Sequence, residues 1–268
     1  MEKSIRILCI GDVVGRPGRD VCSAVLKKLR DSLRAEVVIV NGENSSGGLG
    51  IDPESAQEIR DAGADVITLG DHTYQRKEAK DFLDRNQEWC IRPANYAAGA
   101  PGRGWTIIKK CGEDIAVFNL MGRVFINIPL DCPFLKADEL LEKHLSSSKI
   151  RVCDMHAEAT SEKIGMGRFL DGRVSLQVGT HTHVQTADEQ ILPQGSGYIT
   201  DLGMTGSPEG VIGMDADVAL KRFRTGMPHA YKIAAGKGVI CGVCCEVDAV
   251  TGKAVAIQRV RVTEYSQF

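Results

Sequence analysis

The first quarter of the chain alternates short apolar runs with amphipathic stretches, and that order admits few folds. Ile5 to Ile10 has strand character, Gly18 to Leu33 places Val21, Val25, Leu26, Leu29 and Leu33 at helical spacing, and Val37 to Val40 is the next run. Asp52-Pro53 supplies an N-cap and a first-turn proline for a helix to about Ala62, and Val66 to Leu69 follows. A βαβαβ order implies a parallel sheet with right-handed crossovers. Open sheets of this kind bind ligands in the loops that leave the carboxyl ends of their strands.

Oxygen and nitrogen donors stand at those loops. Ile10-Gly11-Asp12, Val40-Asn41-Gly42-Glu43-Asn44 and Leu69-Gly70-Asp71-His72 each close an apolar run on donors. Val152-Cys153-Asp154-Met155-His156 and Val178-Gly179-Thr180-His181-Thr182-His183 do the same further on. Alternation in a strand would point His181 and His183 to one face, which suits a shared metal but equally suits ordinary hydrogen bonding. The collected set is Asp12, Glu43, Asn44, Asp71, His72, His156, His181 and His183. It holds four of the six histidines and leaves out His144 and His229. Carboxylate mixed with imidazole and free of thiolate suits manganese, iron, zinc or cobalt rather than a cysteine-rich structural zinc. The donors are too many for one ion. Two ions about 3.5–4 Å apart, sharing a carboxylate, form an arrangement used to hydrolyse phosphate esters.

Beyond a helix from Lys77 to Asn86 the pattern changes. Trp105 to Lys110 and Ile115 to Asn119 read as a hairpin around Cys111 to Asp114. The Gly-, Pro- and Asn-bearing stretch Leu120 to Phe134 precedes a helix from Ala137 to about Leu145, then strand Ile150 to Met155, helix Ser161 to Leu170 and strand Val174 to Val178. Thr200 to Asp215 is glycine-rich without a period and reads as a loop. Gly238 to Val247 and Ala254 to Val262 read as a closing antiparallel pair. The expectation is an α/β protein, one domain over 1–268 with two sheets, parallel in the first half and mixed in the second. Loops near 120–135 and 200–230 are placed to form a rim or cap over the site.

Composition removes several classes. A formal net charge of -2 gives no global positive field for nucleic acid or anionic membrane. Direct RNA cleavage finds no support in that charge or in an aromatic content of 5%. No window approaches the roughly 18 apolar residues needed to span a bilayer, and Met-Glu-Lys-Ser-Ile-Arg runs into a strand rather than a signal segment, so a cytoplasmic location is expected. Nine cysteines lie mostly in apolar runs, as buried hydrophobes would in a reducing compartment. Cys241-Gly-Val-Cys244-Cys245 contains a C-x-x-C but sits in a strand-like run with no second ligand pair, so its reading is structural. The oligomeric state stays open, and a homo-oligomer is compatible with the sequence.

The ordered blocks carry a resemblance. Gly-Asp, Gly-Glu-Asn, Gly-Asp-His, a lone His and Gly-Thr-His-Thr-His together resemble the calcineurin-like metallophosphoesterases. Gly-Asp-Val-Val-Gly at 11–15, Asn-Gly-Glu-Asn at 41–44, Asp-Met-His-Ala-Glu-Ala-Thr-Ser-Glu-Lys at 154–163 and Gly-Thr-His-Thr-His-Val-Gln-Thr-Ala-Asp at 179–188 resemble its YmdB-like branch. The likeness covers nearly the whole chain. It implies a sandwich of two mixed β-sheets flanked by helices. It implies two divalent or mixed-valence ions, iron or manganese ahead of zinc, cobalt or magnesium. Asp12, Asn44 and His183 would hold the first ion, Asp71, His156 and His181 the second, and Glu43 would bridge. His72 would serve as general acid while a bridging hydroxide attacks phosphorus. Small phosphodiesters, 2′,3′-cyclic nucleotides first, are the implied substrates. A metal-dependent regulatory protein that binds nucleotide or RNA with little turnover is the competing expectation. Two departures stand out: Val14 occupies the place of a usual histidine, with Asn44 its expected substitute, and Asp71 occupies that of a usual Asn.

Other residues have plainer expectations. Gly11, Gly15 and Gly18 do not make a G-x-G-x-x-G, and Pro17 interrupts them, so a dinucleotide loop is rejected. Arg16 to Arg19 reads as a solvated loop, Thr160 and Ser161 with Glu158 and Glu162 as helix-capping residues, and Asn95 as a loop-ordering residue. Lys163 is within sequence reach of a bound phosphate.

Overall fold

The computed structural model describes residues 4–266. Met1 to Lys3, on which the expectation about the N-terminus leans, lie outside the described residues.

The chain opens with strand β1 (Ser4–Ile10), the short β2 (Asp12–Val13), helix α1 (Gly15–Leu33), β3 (Val37–Asn41), α2 (Pro53–Asp61), β4 (Val66–Thr68), α3 (Ala79–Arg85) and β5 (Cys90–Ile91). The hairpin of β6 (Trp105–Lys110) and β7 (Glu113–Met121) follows, then α4 (Pro133–Lys143), β8 (Ile150–His156), α5 (Thr160–Leu170) and β9 (Leu176–Thr180). Short strands β10 (Gln190–Ile191), β11 (Gly197–Ile199) and β12 (Met204–Thr205) lead to α6 (Ala216–Thr225) and the closing hairpin of β13 (Val239–Asp248) and β14 (Ala254–Thr263).

Two six-stranded sheets result, ordered β14-β13-β1-β3-β4-β5 and β10-β11-β9-β8-β7-β6. In the first, β1, β3, β4 and β5 run parallel, as the βαβ order requires. The C-terminal hairpin then packs beside β1, with β13 antiparallel to it from Ser4 opposite Asp248 to Ile10 opposite Gly242. The first-half strands are parallel as expected, and with the C-terminal hairpin added both sheets are mixed, as the resemblance implies.

Alternation along the strands builds three apolar layers. Ile5, Ile7, Cys9, Val37, Ile39 and Val66 of the first sheet meet Val117, Val152, Leu176 and Val178 of the second. The other face of the first sheet, with Leu8, Ile10, Val38, Val40 and Ile67, is covered by Val21, Val25, Leu26 and Leu29 of α1 and Ile59 of α2. The other face of the second, with Phe118, Leu120, Cys153 and Met155, is covered by Leu140 and Leu141 of α4 and by Met166 and Leu170 of α5. The order of layers is α-β-β-α.

Helix α2 starts where its sequence requires. The Asp52 side chain accepts from the Ser55 backbone N–H at 2.8 Å, and the Ser55 hydroxyl accepts from the Asp52 N–H at 3.2 Å. Helix α5 does not follow expectation: Ala159 occupies its N-cap with no side-chain bond. The 200–230 region, expected to be loop, contains α6, which starts at an Asp215 cap and buries only Ala219. Residues 122–132 have no helix or strand. Arg16 to Arg19 lies within α1 rather than in a loop, and Arg19 pairs with Glu58 at 2.6 Å. Cys241, Cys244 and Cys245 lie buried in β13, where burial pushes the last two thiols up to about 11 and about 12. Among the described residues no helix is long and apolar enough to cross a membrane.

Candidate metal centre

The donors converge where β1, β3, β4, β8 and β9 end. Three glycines let the backbones approach. A Cβ on Gly11 would stand 1.7 Å from the Gly203 carbonyl oxygen, and one on Gly179 would stand 1.8 Å from that of Thr200. At Gly70 the obstacle is the site itself: a Cβ there would lie 2.2 Å from Glu43 Oε2 and 2.3 Å from His156 Nε2.

Glu43, Asp71, His156 and His181 form one group, with a ligand atom from each lying within 4.8 Å of the others. His156 points Nε2 into it, 2.9 Å from Asp71 Oδ1 and 3.3 Å from Glu43 Oε1. His181 Nδ1 lies 3.2 Å from Asp71 Oδ1 and 3.0 Å from His156 Nε2. Burial works against the Asp71 carboxylate, but hydrogen bonds to His156, His181 and His72 hold it well below the usual carboxylate range. Glu43 is likewise drawn down, to about 2, by His156 and His72 in spite of burial. His156 responds in reverse: burial opposes its charge, yet Glu43 and Asp71 raise its pKa.

Asp12, Asn44 and His183 stand outside that group and carry unsatisfied geometry of their own. Asp12 is fully buried; its Oδ2 accepts the His181 N–H at 3.2 Å, whereas Oδ1 has no hydrogen-bond partner among the described residues. Burial, with Glu43, Asp201 and Asp154 adding to it, raises the Asp12 pKa to about 7. His183 Nδ1 donates to the Ile212 carbonyl at 2.8 Å, and burial lowers the ring's pKa, so the imidazole is neutral and Nε2 presents a lone pair. The Asn44 amide gives its N–H to the Gly48 carbonyl at 3.2 Å, which turns Oδ1 toward His183 Nε2, 3.2 Å away. Two lone pairs facing each other in a part-buried place suit a cation. The cluster of Glu43, Asp71, His156 and His181 fits a metal ion by its density of anionic and imidazole donors.

Outer partners orient the rings. His156 Nδ1 donates to Thr180 Oγ1 at 2.9 Å, and that hydroxyl donates to Asp154 Oδ1 at 2.7 Å. Asp154 also accepts from Thr68 at 2.5 Å and Asn41 at 3.1 Å. Such a relay fixes the tautomer that leaves Nε2 free for a ligand. His181 Nε2 lies 3.1 Å from Glu158 Oε2, so Glu158 attends a histidine rather than capping α5. Glu162 instead accepts from the Arg123 and Val124 amides, at 2.9 and 3.2 Å. Lys163 does not reach the site: its ammonium is 1% exposed and lies 2.6 Å from Asp201. Asn95 orders a loop as expected, donating to the carbonyls of Met121 and Asp131.

The two histidines of the H-x-H are not oriented by strand alternation. β9 ends at Thr180, and His181 and His183 follow at φ 103° and 65°, a left-handed region that non-glycine residues seldom occupy. Residues 154, 180 and 201 carry roles that sequence reasoning had not given them. For Asp154 a signal existed, since it stands two places before His156 in a strand and so shares its face.

A cavity of about 300 Å³ opens over these groups, walled by Glu43, Asn44, His72, His181 and His183 together with Ile212. His72 Nδ1 lies 3.4 Å from Asp71 Oδ2 and 3.5 Å from Glu43 Oε1, and these carboxylates, overcoming burial, raise its pKa to about 10.

Comparison with known proteins agrees with this picture. An enzyme of Bacillus subtilis (strain 168) named 2′,3′-cyclic-nucleotide 2′-phosphodiesterase is 47% identical over 98% of this chain and 99% of its own length. A hypothetical protein from Thermus thermophilus superposes with a TM-score of 0.91 at 39% identity, covering 97% of this chain and 99% of that one. The NAD nucleotidase of Haemophilus influenzae shares the fold at a TM-score of 0.59 and 13% identity, over 98% of this chain and 56% of that one. The family model described as YmdB-like protein matches residues 8–260. With these blocks, this sandwich and that match over nearly its full length, the chain belongs to the YmdB-like protein family.

Proposed function

We propose that the chain is a two-metal phosphodiesterase acting on small phosphodiesters, with 2′,3′-cyclic nucleotides as first substrates. The observation that carries this reading is the pairing of two distinct donor groups at one set of strand ends. The compact cluster of Glu43, Asp71, His156 and His181 lies beside the facing lone pairs of Asn44 and His183 and the unpartnered Asp12 Oδ1. The 47% identity to an enzyme named for that activity supports the substrate class.

Asp12, Asn44 and His183 would hold one ion and Asp71, His156 and His181 the other, with Glu43 between them. When bound, such ions supply charge stabilisation at the phosphoryl oxygens and a nucleophile at neutral pH. His72 Nδ1 faces Asp71 and Glu43 without a hydrogen bond to either, and Nε2 would be the nitrogen that donates to the leaving oxygen. The Asp71 and Glu43 carboxylates raise the His72 pKa to about 10; cations bound to them would bring it down toward the working range of a general acid.

Protein reconstituted with manganese or iron is expected to hold two ions per chain and to hydrolyse bis-p-nitrophenyl phosphate and 2′,3′-cyclic nucleotides. His72→Gln should lower kcat on the nucleotide by about 10²–10⁴-fold and on the p-nitrophenyl ester, whose leaving group needs no proton, by much less. Two ions without turnover would sink the enzyme reading.

A further inference from the structure

Exposed apolar side chains concentrate beside the metal centre. Ile212, Leu220, Phe223 and Met227 are 52%, 53%, 76% and 61% exposed, although α6 is amphipathic enough to bury more than its single Ala219. Between α6 and the preceding loop lies a second cavity of about 520 Å³, lined by Val211, Ile212, Met214, Arg222, Phe223 and Met227. Its volume falls in the range of small-molecule sites, about 300–1,000 Å³. Ile212 and Met214 also wall the cavity over the metal donors, so the two spaces share one partition.

That partition is tied to the chemistry. The Ile212 carbonyl receives the His183 Nδ1–H bond, and Ile212 itself sits at φ 47°, a left-handed conformation that a β-branched residue resists. Strain of this sort persists where surrounding structure over-determines it, and here it turns an apolar side chain outward at the junction of the two cavities. Arg222 Nη1 lies 4.0 Å from Met214 Sδ, which keeps the guanidinium against the same wall.

We propose that the cavity beside α6 is the base-binding subsite, receiving the nucleobase of a nucleotide whose phosphodiester lies at the metal donors. This deepens the phosphodiesterase reading and rests on it. The metal-side cavity offers donors for a phosphate and hydroxyls, whereas the base is the one large planar part of such a substrate and needs an apolar face. Phe223 and the Arg222 plane provide stacking surfaces that accept any base, and Met227 provides an adaptable one. The subsite therefore favours nucleotides over base-free phosphodiesters without choosing strongly among bases.

The test compares adenosine 2′,3′-cyclic phosphate with methyl β-ribofuranoside 2,3-cyclic phosphate, which presents the same reacting group with a methoxy group in place of the base. For the manganese-loaded wild-type protein, kcat/KM should favour the nucleotide, and in Phe223→Ala and Met227→Ser that preference should shrink about tenfold. An unchanged preference would overturn the proposal. So would a multimer that Phe223→Ala dissociates, because the face would then belong to a second copy of the chain. Titration with adenosine alone separates the subsite from the hydrolytic reading: methyl resonances of Met214 and Met227 should shift even if neither ester is hydrolysed. Silence at both methyls would overturn the subsite whatever the activity.

Discussion

The ammonium of Lys163 and the carboxylate of Asp201, 2.6 Å apart and sealed from solvent, fasten α5 to the segment behind the H-x-H turn. Asp201 Oδ2 also accepts from the Thr182 backbone N–H and hydroxyl, at 3.2 and 2.8 Å, so the pair braces the residue between His181 and His183. Lys163→Met would leave that carboxylate buried without its cation. The expected loss is about 3–5 kcal/mol of unfolding free energy by urea denaturation, as for other broken buried pairs. A loss under about 1 kcal/mol would show that the bonds from Thr182 suffice.

Asp71 is ionised in the metal-free site, so it adds a third carboxylate to those of Asp12 and Glu43. Asp71→Asn should weaken metal binding by about tenfold or more, measured by competition with a chelating dye. With metal restored to full occupancy, the alkaline pKa of the rate profile should move down, because a cation held by one fewer anion acidifies its surroundings more strongly. An unchanged or raised alkaline pKa would count against this.

Loading the site should expel protons. In the metal-free protein His156 is raised by Glu43 and Asp71 against the effect of burial, while burial lifts Asp12 to about 7. Imidazole and carboxylate must be deprotonated to serve as ligands. Calorimetry at pH 7 in buffers of differing ionisation enthalpy should report about one to two protons released per chain. His183, already neutral, should contribute none. Equal heats in all buffers would mean that His156 is neutral before metal arrives.

The cap of α2 gives a pH signature remote from the metals. Burial opposes the Asp52 charge, but hydrogen bonds from Ser46 and Ser55 outweigh it and hold the carboxyl below its ordinary value. A depressed native pKa contributes stability above the unfolded value of about 3.9, and that contribution is lost as pH falls through the native pKa. Asp52→Ala should cost about 1 kcal/mol near neutrality. Thermal melts of wild type and variant should stay apart down to about pH 4 and draw together below it; curves that stay parallel below about pH 4 would contradict the assignment.

The legible parts of the fold were those with strong local signals. β1, β3 and β4 follow from unbroken apolar runs, and Asp12, Glu43, Asp71, His156 and His181 were readable because each ends such a run. The docking of β13 and β14 beside β1 was not readable, because a hairpin carries the same alternation whichever sheet edge it joins. α6 was hidden for another reason: its ten residues directly follow the glycine-rich stretch that reads as loop, too short a run for the apolar period to stand out. The Thr180–Asp154 relay behind His156 depends on register between β8 and β9, where His156 stands opposite Thr180. No spacing within either strand reveals that pairing.

The position of β13 also sets a timetable. β1 leaves the ribosome more than 200 residues ahead of its neighbour β13, and the amide of Gly11, just before Asp12, is bonded to the Cys241 carbonyl of that late strand. Asp12 itself pairs with Met204 through β2 and β12. A nascent chain therefore holds most of its donors long before the scaffold that buries them can close. Completion of the centre waits for β13, and chains cut short before it would present an unfinished sheet edge to the cell's quality control.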